Sequence, residues 1–285
     1  MRLNRVLQVG AVVLAAGLAL TACGGGSGSG SGASGDKNLV QRAKDNKKLV
    51  IGIKFDQPGL GLKKPDGTYA GFDVDVAKYI AKQLGVEESG ITWKEAQSAQ
   101  REDLIKKGEV DFIVATYSIT DKRKNDVSFG GPYFIAHQDL LVRSDNTDIT
   151  GPESLTGNKK LCSVKGSTPA QNVKTKYAKD VQLQEVGKYT DCVTALLNGT
   201  VDAMTTDDVI LAGYAAQQPG KLKLVGKGFS DENYGVGLKK DDADGKAAIN
   251  KAIQAMEQDG SWEKALQTNV GPSGYKIPAA PAIAP

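Results

Sequence analysis

Histidine occurs once, at His137, and cysteine three times with no Cys-x-x-Cys spacing, so the usual spacing of a zinc site is missing. Aromatic residues make up only 6% of the chain, and lysines alternate with acids rather than gathering beside aromatics on one segment. That distribution argues against a surface that follows nucleic-acid phosphates, as does a formal net charge of only +3. After Leu20 no apolar run reaches membrane-spanning length.

What is present begins with an address. Arg2 and Arg5 precede an apolar stretch from Val6 to Leu20, too short to span a bilayer comfortably, and Leu20-Thr21-Ala22-Cys23 resembles a lipoprotein signal-peptidase site. Residues 1–22 are therefore expected to be a signal peptide and Cys23 the lipidated first residue of the mature chain. Residues 23–36, almost all glycine and serine after the cysteine, are too poor in apolar groups to fold and read as a flexible tether. Losing Arg2 and Arg5 brings the formal charge to +1. In an exported protein the remaining pair, Cys162 and Cys192, reads as a disulfide, with a metal site as the weaker rival.

About 240 residues remain for one large or two medium domains. They alternate short apolar runs with helical spacings: a strand over Leu49–Ile53, a helix over Phe72–Leu84 stopped by Gly85, a helix over Ala99–Lys107 stopped by Gly108, and a strand over Val110–Ala115. The same grammar returns with a strand ending at Val164, a helix over 169–178, a strand over 181–186, a helix over 191–198, a strand over 201–205 and a helix from Asp208. Two α/β units with largely parallel sheets follow. Phe134–Val142 and Asn233–Leu238 interrupt the pattern as extended connections, and the tail after residue 275 is expected to be disordered.

Ligand sites in open α/β sheets lie beyond the carboxyl ends of strands. Polar groups stand there at Lys54, at Ser98 and Arg101, at Thr116 to Arg123, at Ser167 and Thr168 after Gly166, and at Asp207-Asp208. Thr116 and Ser118, two apart on an extended segment, present hydroxyls to one face, and Arg123 adds a planar fork that matches a carboxylate. The stretch Thr116-Tyr117-Ser118-Ile119-Thr120-Asp121-Lys122-Arg123 closely resembles the signature of the polar amino-acid-binding proteins of ABC importers, and the likeness runs from Leu49 to Gly274.

The resemblance implies a type II periplasmic-binding-protein fold. Residues 37–136 and 234–275 would form lobe 1, residues 137–233 lobe 2, and two strands would cross between them at a hinge. It implies that Arg123, Thr116, Ser118 and Thr168 hold an α-carboxylate and Asp207 an α-ammonium. Lys54 and Arg101 occupy positions that carry cations in the glutamate/aspartate-binding receptors, so two positive groups would read a second carboxylate. Ser98, Ser167 and Lys165 are weaker candidates. His137 is read as structural, and Tyr69 belongs to a turn signalled by Pro65-Asp66-Gly67.

The expected function is capture of L-glutamate, with L-aspartate second, by a monomeric, lipid-anchored receptor outside the cytoplasm that delivers its ligand to an ABC permease and its ATPase. No cofactor, metal or nucleic acid is called for. A dehydratase on the same scaffold would need a poised general acid or base in the cleft, which these residues do not supply. A sensor ectodomain is the remaining alternative.

Overall fold

The computed structural model describes residues 37–283; the expected signal peptide and tether, with Cys23, lie outside the described residues. In chain order its elements are α1 (Leu39–Asn46), β1 (Leu49–Ile53), β2 (Asp56–Gln57), β3 (Gly61–Lys63), β4 (Tyr69–Ala70), α2 (Phe72–Gln83), β5 (Ile91–Glu95), α3 (Arg101–Lys106), β6 (Phe112–Ile113) and α4 (Asp121–Lys124). Then come β7 (Ser128–Arg143), β8 (Lys160–Val164), α5 (Thr168–Asn172), β9 (Gln182–Val186), α6 (Tyr189–Leu197), β10 (Ala203–Asp207), α7 (Asp208–Gln217), β11 (Leu222–Leu224), β12 (Asp231–Leu238), α8 (Ala243–Gln258) and α9 (Ser261–Asn269).

Local chemistry sets several boundaries. Asn38 caps α1 by accepting the Gln41 N–H at 2.8 Å while the Gln41 side chain returns to the Asn38 N–H, and Asp242 caps α8 at Gly245. In α2 the apolar positions Val74, Val76, Ala77, Ile80 and Ala81 are buried.

Strand order runs β5-β1-β6-β12-β7-β10-β8-β9, with β11 also on β7. β1 is parallel to β5 and β6, and β8 is parallel to β9 and β10. The two parallel sections meet through the 16-residue β7, which pairs antiparallel with β12 at its first part and with β10 and β11 at its second. Both interrupting segments of the sequence are thus the central strands. Phe72, Tyr133, Phe134, Tyr234 and Trp262 form a buried aromatic cluster beside them, and the indole of Trp262 donates to the carbonyl of Tyr133 at 2.8 Å.

Three expectations change. The strand over 110–115 shortens to Phe112–Ile113 because the chain bends at Ala115–Thr116; Thr116 adopts φ 45° and its N–H bonds the buried Asp73 carboxylate at 2.9 Å. The helix over 169–178 is α5 followed by one wide turn, Val173–Tyr177, that brings the Tyr177 hydroxyl to the Phe229 carbonyl at 2.6 Å. The tail expected to be disordered over 276–285 is irregular yet packed as far as it is described: Ile277 and Ile283 lie against the core and Pro281 is buried, since these apolar side chains find a surface to cover. Cys162 in β8 and Cys192 in α6 are bonded, with Cα atoms 5.5 Å apart.

Candidate ligand-binding site

Strands β1, β6, β8 and β10 end toward a common crevice. A narrow polar cavity of about 10 Å³ lies there, lined from one side by Ser98, Arg101, Thr116 and Ser118 and from the other by Ser167, Thr168, Pro169, Tyr189 and Asp207. Gly166 lets the two sides approach: its φ is +78°, and a Cβ there would stand 2.8 Å from Ala99 Cα.

One end of the cavity is acidic. Asp207 occupies the N-cap position of α7, yet its side chain does not cap the helix. Oδ2 instead accepts the Tyr234 hydroxyl at 2.5 Å, and Oδ1 is buried with no partner. Burial, and then the Glu232 carboxylate, push the Asp207 pKa well above the ordinary carboxylate range. Glu232, itself 2% exposed, accepts from Asn172 Nδ2 at 3.4 Å and Ser230 Oγ at 3.3 Å and is raised by its own burial. An ammonium ion placed against Oδ1 satisfies the orphaned acceptor and restores the ionised carboxylate.

The other end is basic. Lys54, 4% exposed, donates to Ser98 Oγ at 2.8 Å, and burial together with the Arg101 guanidinium pushes its ammonium down to about 7. Arg101 lies 4.1 Å over the Tyr117 ring, donates Nη1 to the carbonyls of Ala115 and Thr116 at 2.9 and 3.3 Å, and keeps Nε buried and unpaired. Burial lowers its pKa to about 10. These are groups whose charged forms gain from an anion between them.

Seven of the residues singled out in the sequence therefore line one cavity: Ser98, Arg101, Thr116, Ser118, Ser167, Thr168 and Asp207. Lys54 is joined to this set through its bond to Ser98. Arg123 lies at the rim, where Nη1 donates to Ser118 O at 2.7 Å and Thr168 Oγ1 at 3.1 Å, Nη2 to Gly166 O at 3.0 Å, and Nε faces Glu102 at 3.2 Å. It joins the two sides of the crevice. Lys165 is exposed and lines the outer groove with Arg123. Ser167 is the N-cap of α5, accepting the Ala170 N–H at 3.1 Å.

Sequence reading passed over three residues. Tyr189 forms a wall of the cavity, Glu232 adds the second acid, and Asp73 fixes the Thr116 bend while the Tyr133 hydroxyl donates to it at 2.8 Å. Burial raises Asp73 to about 6. Asp73 stands between Phe72 and Val74 in an apolar stripe that periodicity assigns to packing, while Tyr189 and Glu232 lie in polar stretches that local pattern assigns to the surface.

Residues 49–272 match the model of the bacterial extracellular solute-binding proteins, family 3. The chain belongs to that family. Among its relatives, the glutamate-binding protein GluB of Corynebacterium glutamicum is 48% identical over 93% of this chain and 90% of its own length. The ABC transporter glutamine-binding protein GlnH of Bacillus subtilis is 37% identical over 92% and 96%. Among solved structures, a cysteine-binding protein from Campylobacter jejuni superposes with a TM-score of 0.79 at 26% identity, covering 85% of this chain and 97% of that one. An ancestral arginine-binding protein bound to glutamine gives 0.74 at 34% identity, covering 79% and 98%. Family 3 membership makes this a solute-binding protein that works outside the cytoplasm, not an enzyme, and its architecture is the type II periplasmic-binding-protein fold.

Proposed function

We propose that this family 3 protein captures glutamate for an ABC amino-acid importer and hands it to the importer's permease. The two relatives described above bind glutamate and glutamine, which narrows the ligand class to these two amino acids. The observation that favours glutamate is Lys54: a buried ammonium beside a second buried cation, lowered to about 7. A γ-carboxylate between Lys54 and Arg101 restores the charged form, whereas a carboxamide adds no counter-charge to the two buried cations. Truncating such a pair costs roughly 2 to 5 kcal/mol, or about one and a half to three and a half decades of affinity.

In this reading Asp207 takes the α-ammonium. Arg123 turns part of its fork from Gly166 O and Glu102 to the α-carboxylate, with Thr168 from the other side, while Thr116 and Ser118 complete the backbone end. Residues 37–136 with 234–275 act as one lobe and 137–233 as the other, and closure about β7 and β12 is the working step. The protein acts as a monomer held to the outer face of the membrane through a lipid on Cys23.

Calorimetric titration with glutamate, glutamine, aspartate and asparagine tests the assignment. Glutamate is expected to bind tightest, and Lys54→Met to weaken glutamate by at least about 30-fold while leaving glutamine within about threefold. Equal losses for both ligands, or glutamine binding tightest to the wild type, overturn it.

A further inference from the structure

Helix α6 begins without a cap of its own. Lys188, at its N-cap position, offers no side-chain acceptor and instead pairs with Glu95 Oε1 at 2.7 Å. The first N–H groups of a helix have no partner within it. Here they find one in a residue 133 positions away: Asp56 Oδ2 accepts the N–H of Tyr189 at 2.9 Å and faces that of Thr190 at 3.4 Å. Asp56 belongs to β2, on the lobe that carries Lys54, whereas α6 packs in the other lobe, bonded to β8 through Cys192 and Cys162. The same residue also receives the Tyr214 hydroxyl of α7 on its backbone carbonyl.

We propose that Asp56 is a closure latch: a carboxylate of one lobe that caps a helix of the other and thereby holds Tyr189 against the ligand. This rests on the receptor reading given above. Tyr189 lines the cavity and Asp56 does not, so Asp56 acts through Tyr189 and the α6 backbone and is a positioning residue. A carboxylate at a helix N-terminus gains from both the exposed N–H groups and the helix dipole, and here it gains them only when the lobes are together. The disulfide makes the latch effective, because α6 is fastened to β8 and its N-terminus cannot be drawn across without the rest of the lobe. Gly213 in α7 serves the same contact from beside it, since a Cβ there would stand 2.4 Å from the Pro58 carbonyl oxygen.

Asp56 also supports the charge on nearby Lys54, so removal of the cap must be separated from removal of the charge. Asp56→Ala abolishes both; Asp56→Asn drops the charge but keeps an oxygen that accepts the N–H groups, asparagine being as good an N-cap as aspartate. In stopped-flow measurements on the whole protein, Asp56→Ala is expected to speed dissociation of both glutamate and glutamine about tenfold, equivalent to about 1.4 kcal/mol, with association within about twofold. Asp56→Asn should stay within about threefold of wild type, and the ligand-free melting temperature should not move in either variant.

Unchanged dissociation in Asp56→Ala, equal acceleration in Asp56→Ala and Asp56→Asn, or a fall in ligand-free stability without faster release would each overturn the latch. If the wild type binds none of the amino acids, the receptor reading fails instead. The latch is then decided by the distance distribution between spin labels on the two lobes, which Asp56→Ala must shift toward the open form and which, unshifted, removes it.

Discussion

The hydroxyl of Tyr234 donates to Asp207 Oδ2 at 2.5 Å and leaves Oδ1 buried and bare. One oxygen is thus fixed by the protein and the other is offered to a cation, in a carboxyl whose pKa is pushed well up by burial and by Glu232. A raised carboxyl pKa favours the folded state fully below the unfolded value and withdraws that contribution as pH rises through the folded one. Asp207→Asn keeps the Tyr234 bond and removes the charge. It is expected to lower amino-acid affinity by about 30-fold or more, while the ligand-free protein melts no lower than wild type at pH 8 and shows no gain at pH 4. Titration calorimetry and thermal melts at the two pH values check both parts.

Lys54 predicts a proton uptake that distinguishes the two candidate ligands. Burial and Arg101 hold its ammonium at about 7 without ligand, and a carboxylate placed beside it raises that value. Glutamate binding at pH 8 should therefore take up a proton at Lys54 and at pH 6 almost none, so glutamate affinity falls relative to glutamine as pH climbs above 7, by at most tenfold per unit. Asp207 moves the opposite way, releasing a proton to both ligands alike, so the glutamate-to-glutamine ratio isolates Lys54. Calorimetry in two buffers of different protonation enthalpy measures the uptake, and Lys54→Met should abolish the difference.

The Cys162–Cys192 bond closes a loop with a sequence separation of 30. On the chain-entropy account a loop of this length stabilises by about 3 to 4 kcal/mol. Replacing both cysteines with serine should lower the melting temperature by on the order of 10 °C. Because α6 carries Tyr189, ligand release should quicken as well, which a stopped-flow trace resolves.

Membrane retention tests the anchor separately from the fold. Cys23→Ala is expected to move the protein from the membrane fraction to the soluble extracytoplasmic fraction with its amino-acid affinity unchanged. Retention on membranes removes the lipid from the account.

Much of this molecule was legible in order along the chain. Leu49–Ile53 appears as a strand with the bounds its apolar run predicts, the α2 stripe is the buried one, and Ser167, Thr168 and Asp207 reach one crevice, with Lys54 joined to it through Ser98 and Lys165 left outside. Short-range rules suffice there because a strand end followed by a polar turn must place its side chains outside the sheet. The bend at Thr116 was not legible: an extended reading of Thr116 to Ser118 fails because Asp73, over 40 positions earlier, takes the Thr116 N–H and holds φ at 45°.

The sequence by itself determined the alternation of elements, the pairing of two cysteines, and the presence of one aspartate and several cations at strand ends, since each depends on neighbours a few residues away or on composition. Tertiary structure alone decided which of those charges share a cavity, that Arg123 bridges its rim while Arg101 lines its wall, and that Asp56 caps a helix in the opposite lobe. Those outcomes hang on contacts between segments far apart in the chain, and burial is what turns such contacts into perturbed charges and unpaired acceptors.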